Sequence, residues 1–259
     1  MSMLLIDELS SGVRILTINR PPGNALNKEL MQEVSMAVRD FGANKSARAL
    51  VVQGTGGIFS AGMDLNIVVA SLKDESFERL FEATSQALFD LWTCGCYTIA
   101  AINGHAIAGG YLLALACDER YVLDGRSRFG LNEVAFGAAI PTVGIEIARR
   151  ALHAHLQNVL LGAQLFDAAE GLRNGSFQAS FSDASTLLQR AIARAEAMAA
   201  RPRDAYALAK AQWLAPAVAT VRSESATHWP ALLRTFRNPE SIGAISTHAS
   251  GVLGAKNSK

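Results

Sequence analysis

Residues 13–19 alternate apolar and polar side chains with the period of a half-buried strand, and the two prolines and glycine of RPPGNAL at 20–26 then interrupt it. Asn27 is suited to capping a helix. Beyond it Leu30, Val34, Val38 and Phe41 recur near the helical period, which predicts a helix with one apolar stripe turned inward. Residues 47–53 form a short run rich in β-branched side chains that stops at GTGG, a second strand. Strand, loop, helix and strand in that order make a crossover unit, which favours parallel pairing in the right-handed sense. The same grammar recurs: residues 98–103 read as a buried strand, 109–117 as a short apolar helix, and 119–123 as a strand stopped by Asp124-Gly125.

After Pro141 the pattern turns helical, over 143–152, 156–161 and an alanine-rich stretch at 185–201 in which Leu188, Ile192, Ala195 and Met198 or Ala199 share a face. Strand signals are scarce there. Arg201-Pro202 breaks the long helix and sets an expected boundary, with residues 1–200 as the core and 201–259 as a helical cap or subunit-contact element. The last stretch, GVLGAKNSK at 251–259, mixes small and polar residues and is expected to fray.

A chain of 259 residues, half of them hydrophobic and 18% charged, buries a real core as one large α/β domain or as a main domain with an appendage. Its 24 basic and 23 acidic side chains leave a net charge of +1 with no cationic stripe, which excludes a nucleic-acid partner. An anionic ligand would be small and met locally, by Arg20, Lys28 or helix N-termini. Cys94, Cys96 and Cys117 are odd in number and lack CxxC spacing, so they read as buried reduced thiols of a cytoplasmic protein. MSMLLIDELSS carries acids where a secretory leader would carry bases, and no apolar run of about 20 residues follows, so a soluble protein with no membrane partner is expected.

The chemistry concentrates in two glycine-bearing turns and one acid. In FSAGMDL at 59–65, Ala61-Gly62 is small enough for a ligand to touch the main chain, which makes the N–H of Met63 a candidate donor. In INGHAIAGG at 102–110 a strand ends at Asn103-Gly104 and Ala108-Gly109-Gly110 opens a helix. First-turn amides have no intrahelical acceptor, so the N–H of Gly109 is suited to hold a developing oxyanion. In GLNEVAFG at 130–137, Glu133 sits between apolar residues, where an acid is costly to bury unless it is used. Two backbone donors converging on one oxygen with a lone base nearby suit enolate chemistry on a thioester.

Rival carboxylates are Asp118, Glu119 and Glu146, of which the first two lie beside Arg120 and are explained by an ion pair or a cap. His153 and His155 point to different faces of a helix without a third ligand, so no metal is expected. GTGG at 54–57 lacks a nucleotide-binding pattern, and no GxSxG elbow of a serine hydrolase occurs.

Taken together, RPPGNAL, FSAGMDL, AINGHAIAGG, ALACDERYVL and GLNEVAFGAAIP, in that order, resemble the enoyl-CoA hydratase/isomerase (crotonase) superfamily over about residues 5–175. GLNEV following CDERYVLDGRSRF looks most like the mitochondrial-type Δ3,Δ2-enoyl-CoA isomerases. The resemblance implies an α/β fold, a crotonase-like spiral of ββα units in two roughly perpendicular sheets, with C-terminal helices that build a homotrimer or hexamer. It implies an acyl-CoA thioester as substrate and no separate cofactor, the CoA being part of the substrate. It carries the oxyanion hole onto the N–H groups of Met63 and Gly109, and contacts to CoA or substrate onto Ala25, Leu26, Ala61, Asp64, Leu65, Gly110 and Leu112.

Two departures matter. Hydratases of the superfamily carry two glutamates; the position of the first is Leu112 in this chain, and that of the second is Glu133. Hydration needs one group to deprotonate water and another to manage the α-carbon proton, whereas moving a double bond from the 3 to the 2 position needs only one base. An isomerase with Glu133 as its sole proton shuttle is therefore expected. A hydratase or another reaction of the superfamily, and a non-catalytic acyl-CoA-binding subunit, are the alternatives. The second departure is GLRNGSFQASFS at 171–182, more polar than the short hydrophobic strand usual there. Phe59, Trp92, Leu112, Phe136 and Ile140 are candidate lining for the acyl pocket.

Overall fold

The alternation at the start of the chain becomes β2 (Val13–Ile18) in a computed structural model that describes residues 2–72 and 74–254. It lies in a six-stranded sheet of order β1-β2-β3-β5-β7-β9, made with β1 (Leu4–Glu8), β3 (Ala49–Gly54), β5 (Tyr97–Ile102), β7 (Glu119–Leu123) and β9 (Ala179–Phe181). Only β1 runs antiparallel to its neighbour; the remaining pairs are parallel, as the crossover grammar requires. A second, three-stranded parallel sheet holds β4 (Ile58–Ser60), β6 (His105–Ile107) and β8 (Phe129–Gly130).

The central strands are buried on both faces, so they read as nearly continuous apolar runs. Leu16, Ile18, Leu50, Val52, Ala100 and Ile102 pack toward one core with α1 (Lys28–Ala43), α3 (Glu75–Trp92) and α4 (Gly109–Leu115). Val13, Ile15, Val51, Ile99 and Ala101 pack toward α8 (Ala184–Ala199) on the other side. Asn27 caps α1 as its position suggests, its side chain accepting from the Leu30 amide at 3.0 Å, and Leu30, Val34, Val38 and Phe41 are buried. On α8 the fully buried stripe is Leu187, Ala191 and Ala195. Leu188, Ile192, Met198 and Ala199 flank it half-buried, so the apolar face is centred about one residue from the predicted one.

The polar segment at 171–182 forms β9 all the same, with Tyr121 opposite Ala179 in parallel register. Its apolar anchor is Phe177, which lies just before the strand, is buried, and packs on Phe129 with ring centroids 4.9 Å apart. One aromatic side chain replaces the apolar strand that the pattern lacks. Beyond α5 (Thr142–Leu152), α6 (Leu156–Leu160) and α7 (Ala168–Arg173), the chain after Pro202 continues as α9 (Arg203–Phe236), with Pro216 and Pro230 inside it, and α10 (Pro239–Gly254). Leu214, Ala217 and Val221 of α9 join the main core, while Leu232, Leu233 and Phe236 form a second cluster with Phe77, Phe81 and Ile245. Of the expected frayed tail, residues 251–254 continue α10 and 255–259 lie outside the described residues. No described helix is long and apolar enough to cross a membrane.

Candidate active site

β4 and β6 pair in parallel, and each runs at its C-terminal end into one of the two glycine-bearing bends, so the bends lie side by side. RPPGNAL braces the first. The Leu26 amide donates to Gly62 O at 2.8 Å, the Asp64 amide to Leu26 O at 2.9 Å and the Ala61 amide to Gly23 O at 2.9 Å, while Asn24 Nδ2 donates to Ile58 O at 2.7 Å. Because the bridge to Leu26 uses the groups that flank Met63, the N–H of Met63 itself is turned to the opposite side. Gly62 has φ +85°, and a Cβ there would stand 2.7 Å from Ile107 O and 3.4 Å from Gly109 N, so only glycine fits.

In the second bend the constraint falls on an ordinary residue. Ala108 is held at φ 52° and ψ −126°, a conformation that costs a side-chain-bearing residue roughly 1–3 kcal/mol and that sets the direction of the next N–H, that of Gly109. A Cβ on Gly109 would lie 3.9 Å from Met63 N, so the two amides border one small volume. Among the described residues neither has a backbone acceptor.

The acid is tied to the same framework. The Ala108 amide donates to Gly130 O at 2.9 Å, which fixes the start of α4 against the end of β8, and the chain then runs through Asn132 into a single 3-10 turn, Glu133–Phe136. Gly137, at φ +78°, ends the turn, and the Ala138 amide closes it on Glu133 O at 2.9 Å. The Glu133 side chain is 8% exposed and its Oε2 has no hydrogen-bond partner. Burial pushes its carboxyl up from 4.5 to about 7. That value suits a group that removes a carbon-bound proton near neutral pH and then returns it. Asn132 Oδ1 is likewise buried without a partner, so two orphan acceptors sit next to each other on one wall.

These groups line a narrow chamber of about 80 Å³. Ala61, Met63 and Leu65 come from the first bend, Gly109 and Leu112 from the second, and Glu133 and Phe136 from the turn. Sequence reading missed the rest of the wall. Phe81, Thr84 and Leu88 come from α3, and Phe236, Ile245 and His248 from the C-terminal helices, with the His248 ring stacked on Phe136 at 4.6 Å and 6°. For α3 the signal was there: Asp74 is an N-cap, and Phe77, Leu80, Phe81, Thr84, Leu88 and Leu91 follow at helical spacing. Nothing local marks His248, which reaches the chamber only through the packing of α10.

The contacts expected for CoA or substrate divide. Ala61, Leu65 and Leu112 line the chamber, whereas Ala25, Leu26, Asp64 and Gly110 do not. Leu26 backs the second bend, its Cδ1 lying 3.3 Å from where a Gly109 Cβ would be. Gly110 answers a packing need, since a Cβ there would meet Ser60 O at 2.4 Å. Asp64 caps α2 (Leu65–Ser71) and pairs with Arg20 at 2.7 Å, and Arg20 also donates to Ala25 O at 2.9 Å, so this expected anion contact is engaged within the protein. Phe136 and Ile140 line the chamber as expected; Phe59 and Trp92 belong to the core instead.

The rival acids are paired. Asp118 binds Lys210 at 2.8 Å and accepts from the Thr98 amide at 2.8 Å, Glu119 pairs with Arg194, and Glu146 with Arg149 at 3.0 Å. Arg120 is not the partner of either neighbour; its buried guanidinium donates to Ser176 O and Cys117 O, both at 2.7 Å.

Comparison with known proteins agrees with this architecture. Mouse mitochondrial enoyl-CoA delta isomerase 1 is 32% identical over 184 residues, covering 67% of this chain and 61% of that protein. A probable enoyl-CoA hydratase of Mycobacterium bovis is 32% identical over 173 residues, covering 66% of each chain. The match therefore spans about three-fifths to two-thirds of the length of these relatives. Among solved structures, human mitochondrial Δ3,Δ2-enoyl-CoA isomerase superposes with a TM-score of 0.91 at 22% identity, covering 98% of this chain and 100% of that one, which shows the crotonase fold. With residues 8–242 matched by the model of the enoyl-CoA hydratase/isomerase family, this chain belongs to that family.

Proposed function

We propose that the protein is an acyl-CoA isomerase that shifts the double bond of a 3-enoyl-CoA to the 2 position, with Glu133 as its only base. The carboxylate removes a proton from C2, and the electron pair moves into the carbonyl to give a dienolate conjugated with the 3,4 double bond, which shifts to the 2 position when C4 is protonated. The negative charge of the dienolate rests on the thioester oxygen, between the amides of Met63 and Gly109. The same carboxyl then delivers the proton to C4. Each amide contributes roughly 3 kcal/mol to holding that charge, on the scale of single-donor deletions. Because both donors are backbone groups, the side chain at Met63 is free to act as wall.

The observation that carries this reading is the pairing on one chamber of a buried, unpartnered Glu133 oxygen with a leucine at position 112, the position to which the family resemblance assigns a second acid. Ala25, Leu26, Asp64 and Gly110 take part, on this reading, as supports of the two bends. A cytoplasmic homotrimer or hexamer belongs to the same reading. A hydratase reading draws on His248, a second titratable side chain on the chamber wall. One assay separates the two. Purified protein is given 3-hexenoyl-CoA and, separately, 2-hexenoyl-CoA; isomerisation, which leaves the mass unchanged, is followed by the gain of conjugated-thioester absorbance, and addition of water by its loss and by the mass of the product. The proposal expects conversion of the first and no addition of water to the second; water addition as the faster reaction would replace it with the hydratase reading.

A further inference from the structure

We propose that the chamber admits only short acyl chains, its far end being closed by a partition at residues 139–141 and by the C-terminal helices; this inference rests on the acyl-thioester reading above. Pockets that enclose ligands of drug size have volumes of roughly 300–1,000 Å³. The chamber has about 80 Å³, enough for the reacting carbons and little beyond them.

Its closed end is held by groups from three elements that do not yield by a simple rotation. Phe236 of α9 packs against Phe77 and Phe81 of α3 with centroids 5.0 and 4.9 Å apart, a locked aromatic triad. Ile245 of α10 is fully buried beside it. On the other side, Ala139, Ile140 and Pro141 border both the chamber and a separate groove of about 920 Å³ between α3, α5 and α9. The groove has apolar wall from Phe89, Val143 and Leu232, with Glu82 and Arg149 also on its lining. Room for a long chain therefore exists next to the site, and Ile140 stands between the two spaces.

The test is the chain-length ratio, kcat/KM for 3-hexenoyl-CoA divided by that for 3-dodecenoyl-CoA, measured within one preparation so that any inactive fraction cancels. A buried methylene contributes roughly fourfold to binding, and a tail with no room forfeits that gain and adds a clash, so the parent ratio should be about tenfold or more. Ile140→Ala, which joins the chamber to the groove, should bring the ratio to within about threefold by raising the dodecenoyl value. Phe236→Ala, which deepens the chamber, serves the same purpose if the first variant does not fold. A parent enzyme that handles both substrates equally, or two variants that leave a large ratio unchanged, would overturn the inference. If no 3-enoyl-CoA of any length is isomerised, the isomerase reading fails separately. The chain-length limit is then read by calorimetric titration of the parent with saturated hexanoyl-CoA and dodecanoyl-CoA: weaker binding of the longer ester upholds it, and equal binding overturns it.

Discussion

Replacing Glu133 by glutamine should make the protein inactive and, above neutral pH, more stable. The carboxyl is buried at 8% exposure with an unpartnered oxygen, and burial holds its pKa at about 7 against an ordinary value of 4.5. The sign follows from proton binding. Between those two values the folded protein keeps a proton that the unfolded chain has lost, so stability falls as pH rises through this window. At about 1.4 kcal/mol for each pH unit between 4.5 and about 7, the full penalty is roughly 3 kcal/mol. Glutamine has the same shape and never ionises. Denaturant unfolding of both proteins across the pH range should give a stability difference near zero at pH 4, about 1 kcal/mol at pH 5 and roughly 3 kcal/mol at pH 8, always in favour of the variant. In thermal melts at pH 8 the gain corresponds to about 6–12 °C for a domain of this size. A difference that does not change with pH, or a parent protein more stable than the variant at pH 8, would show that Glu133 is paired or hydrated in the folded state and would remove the argument that an isolated acid is held there for use.

In turnover, kcat/KM on a 3-enoyl-CoA should rise with pH through a single ionisation near 7 and then level off, because the base must be ionised and no second group need be protonated; a bell-shaped profile in this range would indicate a second catalytic acid. Gly62→Ala places a Cβ 2.7 Å from Ile107 O at φ +85°, so kcat should fall on the order of 100-fold or more as the Met63 and Gly109 amides are forced apart, with a lowered melting temperature; full activity in steady-state assays would refute the role of this bend. Lys210→Met leaves the half-buried Asp118 without its cation, and urea unfolding should show a loss of roughly 1–3 kcal/mol with little change in KM for the folded fraction; a loss below about 0.5 kcal/mol would mean that the Thr98 contacts alone satisfy Asp118.

How far the sequence revealed the structure depended on whether a signal was local. The two bends were legible because backbone strain has a residue signature: glycine at a positive φ and small residues where strands and helix approach closely. Glu133 was legible because an acid flanked by apolar residues needs a reason. β1 and β4 were not read, being short or placed directly beside a turn, and α3 was missed although its cap and apolar spacing were present. Asp64 and Arg20 show a different limit. Arg20 was a candidate for an anionic ligand and Asp64 a contact to CoA or substrate implied by the resemblance, and the structure pairs them with one another, 44 positions apart in the chain. The acyl end of the chamber was illegible for the same reason, since Phe236, Ile245 and His248 reach it from helices whose placement depends on the whole core. At Gly110, carried over as a contact to substrate, the structure adds a packing requirement against Ser60 that only coordinates reveal.

The central claim, one shielded carboxyl carrying a single proton between two carbons, is tested most directly by following an isotope. 3-Hexenoyl-CoA labelled with deuterium at C2 is converted in ordinary water, and the 2-enoyl product is examined by mass spectrometry and NMR. A buried Glu133 acting alone should carry a measurable share of the label from C2 to C4. A product whose new C4 hydrogen comes wholly from solvent would contradict it.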